Sequence, residues 1–125
     1  MRTSTMAIMK GYLPDDWEAI IKPVNKRSAS DSSSIYPETV SDSCFLLAEV
    51  EVFGSTTHSM PGEGTQYAYY KAGNSKVKKK NGSSNNWWER SPRSDSSGFC
   101  VVDSNGDASS TSASYSRGVS FGFCV

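Results

Sequence analysis

The chain has 125 residues, a length that suits a single domain built around one hydrophobic core. Its 13 Lys and Arg residues balance its 13 Asp and Glu residues, so there is no net charge to attract nucleic acid or an acidic membrane surface. Hydrophobic residues make up only 36% of the chain while aromatic residues reach 11%, which predicts a folded domain with a thin, aromatic-rich core and many loops.

Residues 1–10 contain one early arginine, but neither the apolar stretch nor the small-residue cleavage site of a signal peptide. We expect them to form a flexible or non-native start, followed by one domain over residues 11–125. No run of apolar residues is long enough to span a bilayer, which predicts a protein without membrane insertion.

A short amphipathic helix is predicted over residues 14–22. Pro14 suits the first turn of a helix, the acidic residues after it favour the positive end of the helix dipole, and Pro23 ends the helix. Trp17 is expected in the core, because apolar residues recur on one face at helical spacing: Leu13, Trp17, Ile20 and Ile21.

A polar, serine-rich stretch over residues 25–43 predicts a long loop or flap, and loops of that length often carry function. The following "CFLL", residues 44–47, predicts a buried strand. The next letters, "AEVEVF", alternate like a strand, but their Ala and Glu residues equally suit a helical turn, so both assignments stay open.

The basic run "KVKKK", residues 76–80, follows a tyrosine cluster, "QYAYY". No aromatic residues are interleaved with the basic run, and "NGSS" comes after it, so it predicts a solvated loop. A nucleic-acid site would need a wider basic surface, and no nucleic-acid partner is expected.

Two adjacent tryptophans, Trp87 and Trp88, precede a polar stretch. Each carries a large apolar surface and one N–H donor, so we expect both to enter the core and to set where the next loop leaves it. Arg90 can hold a backbone carbonyl or a carboxylate with its fork of donors, and Glu89 is one candidate partner. From Arg93 onward the residues are short and polar, and an exposed loop can vary there without disturbing the core.

The last third of the chain predicts strands joined by a tight turn. "GFCVV", residues 98–102, is apolar and β-branched, and "DSNGD" follows it, with Asn105 and Gly106 supplying the positive φ of a tight hairpin. Calcium ligation by Asp103, Asn105 and Asp107 is the weaker interpretation, because the spacing does not fit a calcium-binding loop. "ASSTSASYS" is then a polar strand or loop, and "GVSFGFCV" a terminal strand.

Three cysteines, Cys44, Cys100 and Cys124, lie beside apolar residues, which favours buried thiols that act as small hydrophobic residues. A Cys100–Cys124 disulfide is the alternative. No pair has Cys-x-x-Cys spacing and only His58 could complete a zinc set, so neither a metal nor another cofactor is predicted. His58 has no evident acid–base partner, and no nucleophile elbow or phosphate loop occurs, so we expect no enzyme activity.

Several motifs occur together and in order: "FLLAEVEVFG", "EGTQYAYYKAGNSKVK", "NWWERSP", "GFCVV" and "ASYSRGVSFGFCV". In these motifs the chain resembles a family of domains of unknown function marked by a Trp-Trp-x-Arg-Ser-Pro motif, found in gut Gram-positive bacteria and their phages. The likeness runs from about residue 11 to residue 125. Many relatives end in "GVRPAF", where this chain has "GVSFGF", and relatives tend to carry more chain before the helix, with at least one strand.

The resemblance implies a fold similar to C-type-lectin-like and formylglycine-generating-enzyme-like domains: a single, loop-rich α+β domain with few short antiparallel strands and one or two short helices. Variable proteins diversified by retroelements share that fold class, and their substitutions concentrate in its C-terminal part. Formylglycine-generating enzymes use paired cysteines, but the apolar strand residues around Cys100 and Cys124 would keep these thiols inert. The predicted core residues are Trp17, Phe45, Leu47, Trp87, Trp88, Phe99, Val101, Val119 and Phe123.

These features predict a ligand-recognition module of a phage or bacterial surface protein, located on a phage tail or on the bacterial surface. Tyr, Ser, Asn, Asp and Gly dominate its C-terminal loops, a composition typical of adaptable binding surfaces. The expected partner is a protein or glycan receptor on a cell surface, and either homo-oligomerisation or attachment to a larger tail or surface protein fits this role. The alternative is a structural or assembly protein of a phage particle with no ligand site. The predicted ligand-binding residues, with Tyr115 as the anchor, are Arg93, Ser94, Asp95, Ser97, Asp103, Asn105, Asp107, Ser110, Thr111, Ser112 and Tyr115.

Overall fold

The computed structural model describes residues 2–28, 38–93 and 97–125. The helices of this part of the chain are α1 (Arg2–Lys10), α2 (Asp15–Ile20), α3 (Glu49–Phe53) and α4 (Ala68–Lys71). The strands are β1 (Val24–Ser28), β2 (Glu38–Asp42), β3 (Cys44–Leu46), β4 (Lys78–Lys80), β5 (Ser83–Asn85), β6 (Trp87–Pro92), β7 (Gly98–Val102), β8 (Ala108–Ser112) and β9 (Phe121–Phe123). The fold is mixed and strand-rich, with open sheets, and its four short helices exceed the expected one or two.

Antiparallel pairing joins the strands into small sheets. β1 pairs with β2, β3 with β9, and β4 with β5, while β6, β7 and β8 form a three-stranded sheet in that order. Cys44 lies opposite Phe123, so the C-terminal strand β9 pairs with the strand that leads into α3. In the three-stranded sheet β7 is central, and β8 is an edge strand.

The core lies where α3, α4, β3 and the three-stranded sheet meet. Its buried cluster consists of Phe45, Leu47, Val52, Tyr70, Trp87 and Val102. Burial of five predicted core residues is confirmed: Phe45, Leu47, Trp87, Trp88 and Val101. Three others are half-buried: Phe99, Val119 and Phe123.

Helix α2 confirms the helix predicted over residues 14–22, in a shorter form. The predicted burial of Trp17 is wrong, because its side chain is 45% exposed. The helix has six residues and buries none of them, and Trp17 only sets its ring edge-on against Phe123, with 5.6 Å between the ring centroids. A helix this short packs only at its end, where Ile21 is buried.

Helix α1 occupies residues for which a flexible start was expected. Met6 is buried, and the helix packs against β3. The sequence offers no strong capping signal for this helix, since its first turn contains no acidic residue. Its position therefore depends on packing against β3 rather than on local sequence.

The stretch over residues 25–43, predicted as a loop, forms one strand at each of its ends. β1 and β2 pair antiparallel, with Val24 opposite Asp42 and Ser28 opposite Glu38. Alternate residues of β1 are half-buried, so one face of this polar strand lies against the protein. Residues 29–37 lie outside the described part of the chain.

The ambiguous "AEVEVF" segment is helical, as α3. One carboxylate oxygen of Glu51, Oε2, accepts a hydrogen bond from the backbone N–H of Ala48 at 2.8 Å, which caps the first turn. Gly54 ends the helix in the left-handed region at a φ of 72°, and its N–H donates to the carbonyl of Val50. These two local caps favour the helix over the strand that the alternation suggested.

The basic run predicted as a solvated loop forms β4, which pairs with β5 through a tight turn. Asn81 and Gly82 both have positive φ, 52° and 82°, as a two-residue hairpin turn requires. The hairpin turn predicted in "DSNGD" is confirmed, but only Gly106 has positive φ there, at 92°.

The cysteines are free thiols. Cys44 and Cys100 are buried as expected, whereas Cys124 is exposed beside the C-terminus. Burial raises the pKa of Cys44, and it raises that of Cys100 to about 12, aided by nearby Glu89, Glu49 and Glu63. Both buried thiols therefore stay protonated at neutral pH.

Candidate functional site

The predicted binding residues follow the β7–β8 hairpin. Residues 103–107 form the turn that joins the two strands, while Gly98 and Ser112 lie opposite each other at the other end. Each strand spans about 14 Å between these ends at about 3.4 Å per residue. The turn is therefore separated by the length of the hairpin from Arg93 and Ser97, and the predicted residues line a strip rather than one compact patch.

Asp103 holds the turn together. Its Oδ1 accepts hydrogen bonds from the backbone N–H groups of Asn105 at 2.8 Å and Asp107 at 3.0 Å. Its own N–H donates to the carbonyl of Asp107, and its carbonyl accepts from the N–H of Gly106. These bonds give Asp103 a structural role in the turn. Asn105 and Asp107 are exposed and stay predicted contacts.

The other end of the hairpin presents an aromatic side chain to solvent. Tyr115 is 59% exposed, and the guanidinium of Arg117 lies 5.1 Å from the centroid of its ring. Nearby, Nη2 of Arg93 donates a hydrogen bond to Oγ of Ser97 at 2.9 Å. The exposed ring of Tyr115 suits the predicted role of an anchor.

The remaining predicted residues that the structure describes lie on β8. Ser110 is exposed on β8, and its neighbours Thr111 and Ser112 are half-buried. Ser94 and Asp95 lie outside the described residues.

A polar cleft of about 460 Å³ opens between α3 and the β7–β8 hairpin. Exposed hydroxyl residues form its rim, among them Thr57, Ser109 and Ser110. Buried residues form its floor, and these are Glu49, Glu89 and Cys100. Cys100 lies opposite Ser110 in the β7–β8 pair, so the two side chains share the face of the sheet on which the cleft opens.

Glu89 is the most unusual residue of the cleft. It is only 1% exposed, and its Oε1 has no hydrogen-bond partner among the described residues. Burial raises the pKa of Glu89 to about 8, with a further rise from the charge of Glu49, while Arg90 acts in the opposite direction. This carboxyl therefore carries a proton at neutral pH.

Glu49 is held at the start of α3 by the loop that follows the helix. Its Oε2 accepts a hydrogen bond from the backbone N–H of His58 at 2.7 Å. Its own N–H donates to Oγ of Ser91 at 2.9 Å, and the N–H of Val50 donates to Oγ of Ser59 at 3.0 Å. Two serine hydroxyls thus satisfy the first N–H groups of the helix and leave the Glu49 side chain at the cleft floor.

Arg90 fixes the position of β6, which carries Glu89. Its guanidinium donates to the carbonyls of Arg27, Leu46 and Glu63 at 2.8–3.1 Å, and to Oε2 of Glu51 at 2.5 Å. The predicted pairing of Arg90 with a carbonyl or carboxylate is therefore confirmed, but the carboxylate belongs to Glu51, not to Glu89.

The second oxygen of Glu51 is paired as well. Oε1 accepts from Nζ of Lys26 at 2.5 Å and from the hydroxyl of Tyr67 at 3.0 Å. Burial alone would raise the pKa of Glu51, but the hydrogen bonds and charge of Arg90, together with Lys26, hold it below its usual value. This network joins β1, α3 and β6 behind the cleft.

The cleft suits the binding of a positively charged group. Two buried carboxyl groups face it, and neither Lys nor Arg occurs among the described residues that line it. A protonated Glu89 can also donate a hydrogen bond to a neutral acceptor, or act as a general acid. Within the described residues, no group of three His, Cys, Asp or Glu residues is placed to hold a metal ion.

Ser110 is the predicted residue that lies in the cleft, whereas Glu49, Glu89 and His58 were not predicted as a site. One signal of this site is present in the sequence, because Glu89 follows two tryptophans that were expected in the core. An acidic residue in a buried strand needs a partner or a function. Its proximity to Glu49 has no local signal, since 40 positions separate the two residues in the chain.

Among the described residues, no helix has the length and apolar character needed to cross a membrane.

Comparisons with known proteins identify a family for this chain. No curated protein and no solved structure matches the chain significantly. One family matches residues 9–125, and its description is a domain of unknown function, DUF6273. The chain, matched over nearly its whole length, therefore belongs to the DUF6273 family.

Proposed function

We propose that this domain is a ligand-recognition module of a phage or bacterial surface protein, and that it binds through the β7–β8 hairpin and the cleft beside it. The observation that carries the proposal is the construction of the cleft, with an exposed hydroxyl rim above a buried floor that contains the unpartnered Oε1 of Glu89. A buried polar atom without a partner destabilises the protein, so its position at the floor of an open cleft favours a ligand that completes the site.

The surface next to the cleft supports the same proposal. Serine and threonine hydroxyls along β8 supply adaptable hydrogen bonds, and the exposed ring of Tyr115 supplies contact area at low entropic cost. The expected ligand is a protein or glycan receptor on a cell surface.

We also propose a fold close to the C-type-lectin-like class and to retroelement-diversified variable proteins. Its support is the resemblance of the sequence motifs and the mixed, strand-rich architecture. In that class the variable positions lie in the C-terminal part, which in this chain includes the β7–β8 hairpin and its two serines at the rim of the cleft, Ser109 and Ser110. Relatives whose substitutions concentrate at exposed positions between residues 93 and 115 would support this placement, and substitutions spread evenly over the chain would contradict it.

Glycan and peptide arrays probed with the labelled protein test the recognition proposal. We expect binding to a restricted set of spots, and we expect Ser110→Arg to abolish it by placing a bulky charged side chain at the rim of the cleft. Lys79→Ala, in the exposed strand β4, is the control and should bind as the wild type does. Absence of binding to both arrays, or full binding by Ser110→Arg, would reject this function.

A structural role in a larger assembly is the second candidate. The first two helices and the turn between them expose four large apolar side chains: Ile8 at 57%, Tyr12 at 78%, Trp17 at 45% and Ile20 at 53%. Exposed apolar residues in such number are typical of a surface that another protein covers. Sedimentation of the wild type and of a Tyr12→Ser, Ile20→Ser variant tests this role, since only an assembling wild type would lose a higher-mass species on substitution.

A further inference from the structure

We propose that the Glu49–Glu89 pair at the floor of the cleft binds a primary ammonium group, and that the occupant is a lysine side chain of a protein ligand extended along β8. The inference rests on the proposed recognition function and specifies its ligand.

The protein itself shows how a buried glutamate is satisfied. Glu51 is 1% exposed, as Glu89 is, but its two oxygens take Arg90, Lys26, Tyr67 and the N–H of Ala48. Oε1 of Glu89 takes no partner among the described residues. The cation that the chain supplies to Glu51 is thus missing at Glu89, in a position that faces an open cleft.

Glu49 adds a second carboxyl group to the floor of the cleft. Glu49 is 4% exposed, and its charge acts on Glu89 strongly enough to count among the causes that raise the pKa of that carboxyl. Two other charged groups act on Glu89, Glu51 on α3 and Arg90 on β6, while His58 and Cys100 line the same cleft. Arg90 is the only cation that acts on Glu89 among these groups, and its guanidinium is already committed to Glu51.

The size and walls of the cleft favour an organic cation with an apolar stem. About 460 Å³ is far more than the roughly 30 Å³ that one water molecule occupies in the liquid, so a single bare ion would leave most of the cleft to solvent. The ring of Phe53 forms part of the wall, and the ammonium of Lys76 already lies 5.4 Å from the centroid of that ring. Aromatic faces attract ammonium groups, and a lysine stem adds apolar contact.

The edge strand beside the cleft favours a polypeptide as the source of the ammonium group. β8 pairs with β7 on one side, and among the described strands nothing pairs with its other side. Three consecutive residues of β8, Ala108–Ser110, line the cleft, so the strand borders it along its backbone. An extended peptide can add to such an edge through main-chain hydrogen bonds, while an alternate side chain enters the neighbouring pocket.

The proton on Glu89 gives the proposal a second signature. Glu89 carries a proton near neutral pH before binding, because its pKa is about 8. An ammonium group stabilises the ionised carboxylate, so its binding displaces that proton into solvent. Binding should therefore strengthen as the pH rises towards that pKa, and the heat of binding should depend on the ionisation enthalpy of the buffer.

Calorimetry with a capped peptide that contains one central lysine flanked by serines tests the proposal. The matched probe is the same peptide acetylated on Nε of that lysine, which keeps the stem and loses the charge. We expect the lysine peptide to bind about ten-fold or more tightly than its acetylated twin, with release of a proton. Glu89→Gln and Glu49→Gln should each reduce this preference about ten-fold, and the exposed Asp15→Asn should leave it unchanged.

Equal binding of both peptides, or proton-independent binding, would overturn the ammonium site. Tighter binding of glucosamine than of the lysine peptide would overturn the lysine assignment in favour of an amino sugar, and tight binding of calcium chloride would overturn it in favour of a metal ion. The peptide comparison uses only the wild-type protein, so it stays decisive if Glu89→Gln folds poorly. If the arrays show binding that Ser110→Arg abolishes while these peptides fail, the recognition function stands and only the ammonium site is rejected.

Discussion

Two glutamates of equal burial meet opposite electrostatic surroundings in this protein. Glu51 accepts hydrogen bonds from an arginine and a lysine, and its pKa lies below the usual value. Glu89 faces a second glutamate and an open cleft, and its pKa rises to about 8. The first residue ties strands and helix together, while the second is poised to bind a cation. The contrast follows from which side chains the fold brings within hydrogen-bond distance, not from the residue type.

Glu89→Gln is expected to alter the pH dependence of stability. The pKa of Glu89 is higher in the folded protein than its ordinary 4.5, so the folded state binds this proton more tightly than the unfolded state. Its contribution to the free energy of unfolding is fully present below about pH 4.5 and is lost as the pH rises through about 8. The variant should therefore be more stable than wild type by about 1–4 kcal/mol near pH 8, and similar near pH 4.5.

Urea unfolding of both proteins across this pH range measures the effect. Asp15→Asn, at an exposed position at the start of α2, is the control and should keep the wild-type slope. A variant less stable than wild type at every pH would show that Glu89 is ionised and paired in the folded protein.

Arg90→Ala is expected to cost about 3–5 kcal/mol of stability, because it leaves Glu51 buried with only Lys26 as a charged partner and exposes three carbonyls to an unfilled space. Lys79→Ala is the control, since this side chain is exposed on β4 and its removal should cost about 0.5 kcal/mol or less. Chemical denaturation measures both values. Equal losses of stability for the two substitutions would contradict the structural role of Arg90.

At the scale of elements, the β7–β8 hairpin depends on a close approach of two backbones. Gly98 at the start of β7 lies opposite Ser112, and a Cβ atom placed on it would collide with the carbonyl of Thr111. The obstacle is backbone rather than the end of a flexible side chain, so the strands themselves would have to separate. The glycine is therefore needed for the register that places Ser110 beside Cys100 at the cleft.

Gly98→Ala should cost about 1–3 kcal/mol, as overpacked sites do, and should also weaken binding at the cleft. Gly11→Ala is the control, because the nearest atom to its added Cβ is the carbonyl oxygen of Ile8 at an ordinary 3.5 Å. Thermal melting of the two variants measures the difference. If Gly98→Ala melts at the wild-type temperature, the hairpin tolerates a wider spacing than its geometry indicates.

At the scale of the whole molecule, a few large side chains stabilise small sheets that could not stand alone. Two-stranded sheets are marginal in water, and here β1–β2 and β3–β9 share one core, which is built around Trp87, Phe45 and Val52 and has Val24 of β1 packed against it. Arg90 adds a polar junction, because its hydrogen bonds reach β1, β3 and α3 together. Loss of the apolar core or of the Arg90 hydrogen bonds should therefore destabilise the whole fold and not one hairpin alone.

Trp88→Ala should destabilise the entire domain by about 3–5 kcal/mol, as the loss of a buried aromatic side chain does. The side chain is 3% exposed and packs edge-on against Phe99. Trp17→Ala is the matched control, since Trp17 is 45% exposed, and it should cost about 1 kcal/mol or less. Amide hydrogen exchange would show the Trp88 variant losing protection in every sheet. Local loss confined to β6 would contradict a shared core.

Features that depend on neighbouring residues could be predicted from the sequence. The helix at α2 follows from Pro14 and the acidic first turn, the hairpin after β7 from the Asn-Gly pair, and the burial of Trp87 and Trp88 from their size. Each is set by dihedral preference, capping or transfer of apolar area from water, which act over a few residues.

The tertiary structure alone decided the rest, because the deciding contacts join distant parts of the chain. Arg90 donates to the carbonyl of Arg27, 63 positions away, and this bond has no trace in local pattern. Likewise, the polar segment β1 forms a strand because it pairs with β2 and because its Lys26 binds the carboxylate of Glu51. These contacts outweigh its loop-like composition. The candidate site has the same origin: Glu49 and Glu89 become a carboxylate pair only when α3 packs beside β6, and their shared electrostatics depend on that distance and on the water excluded around them.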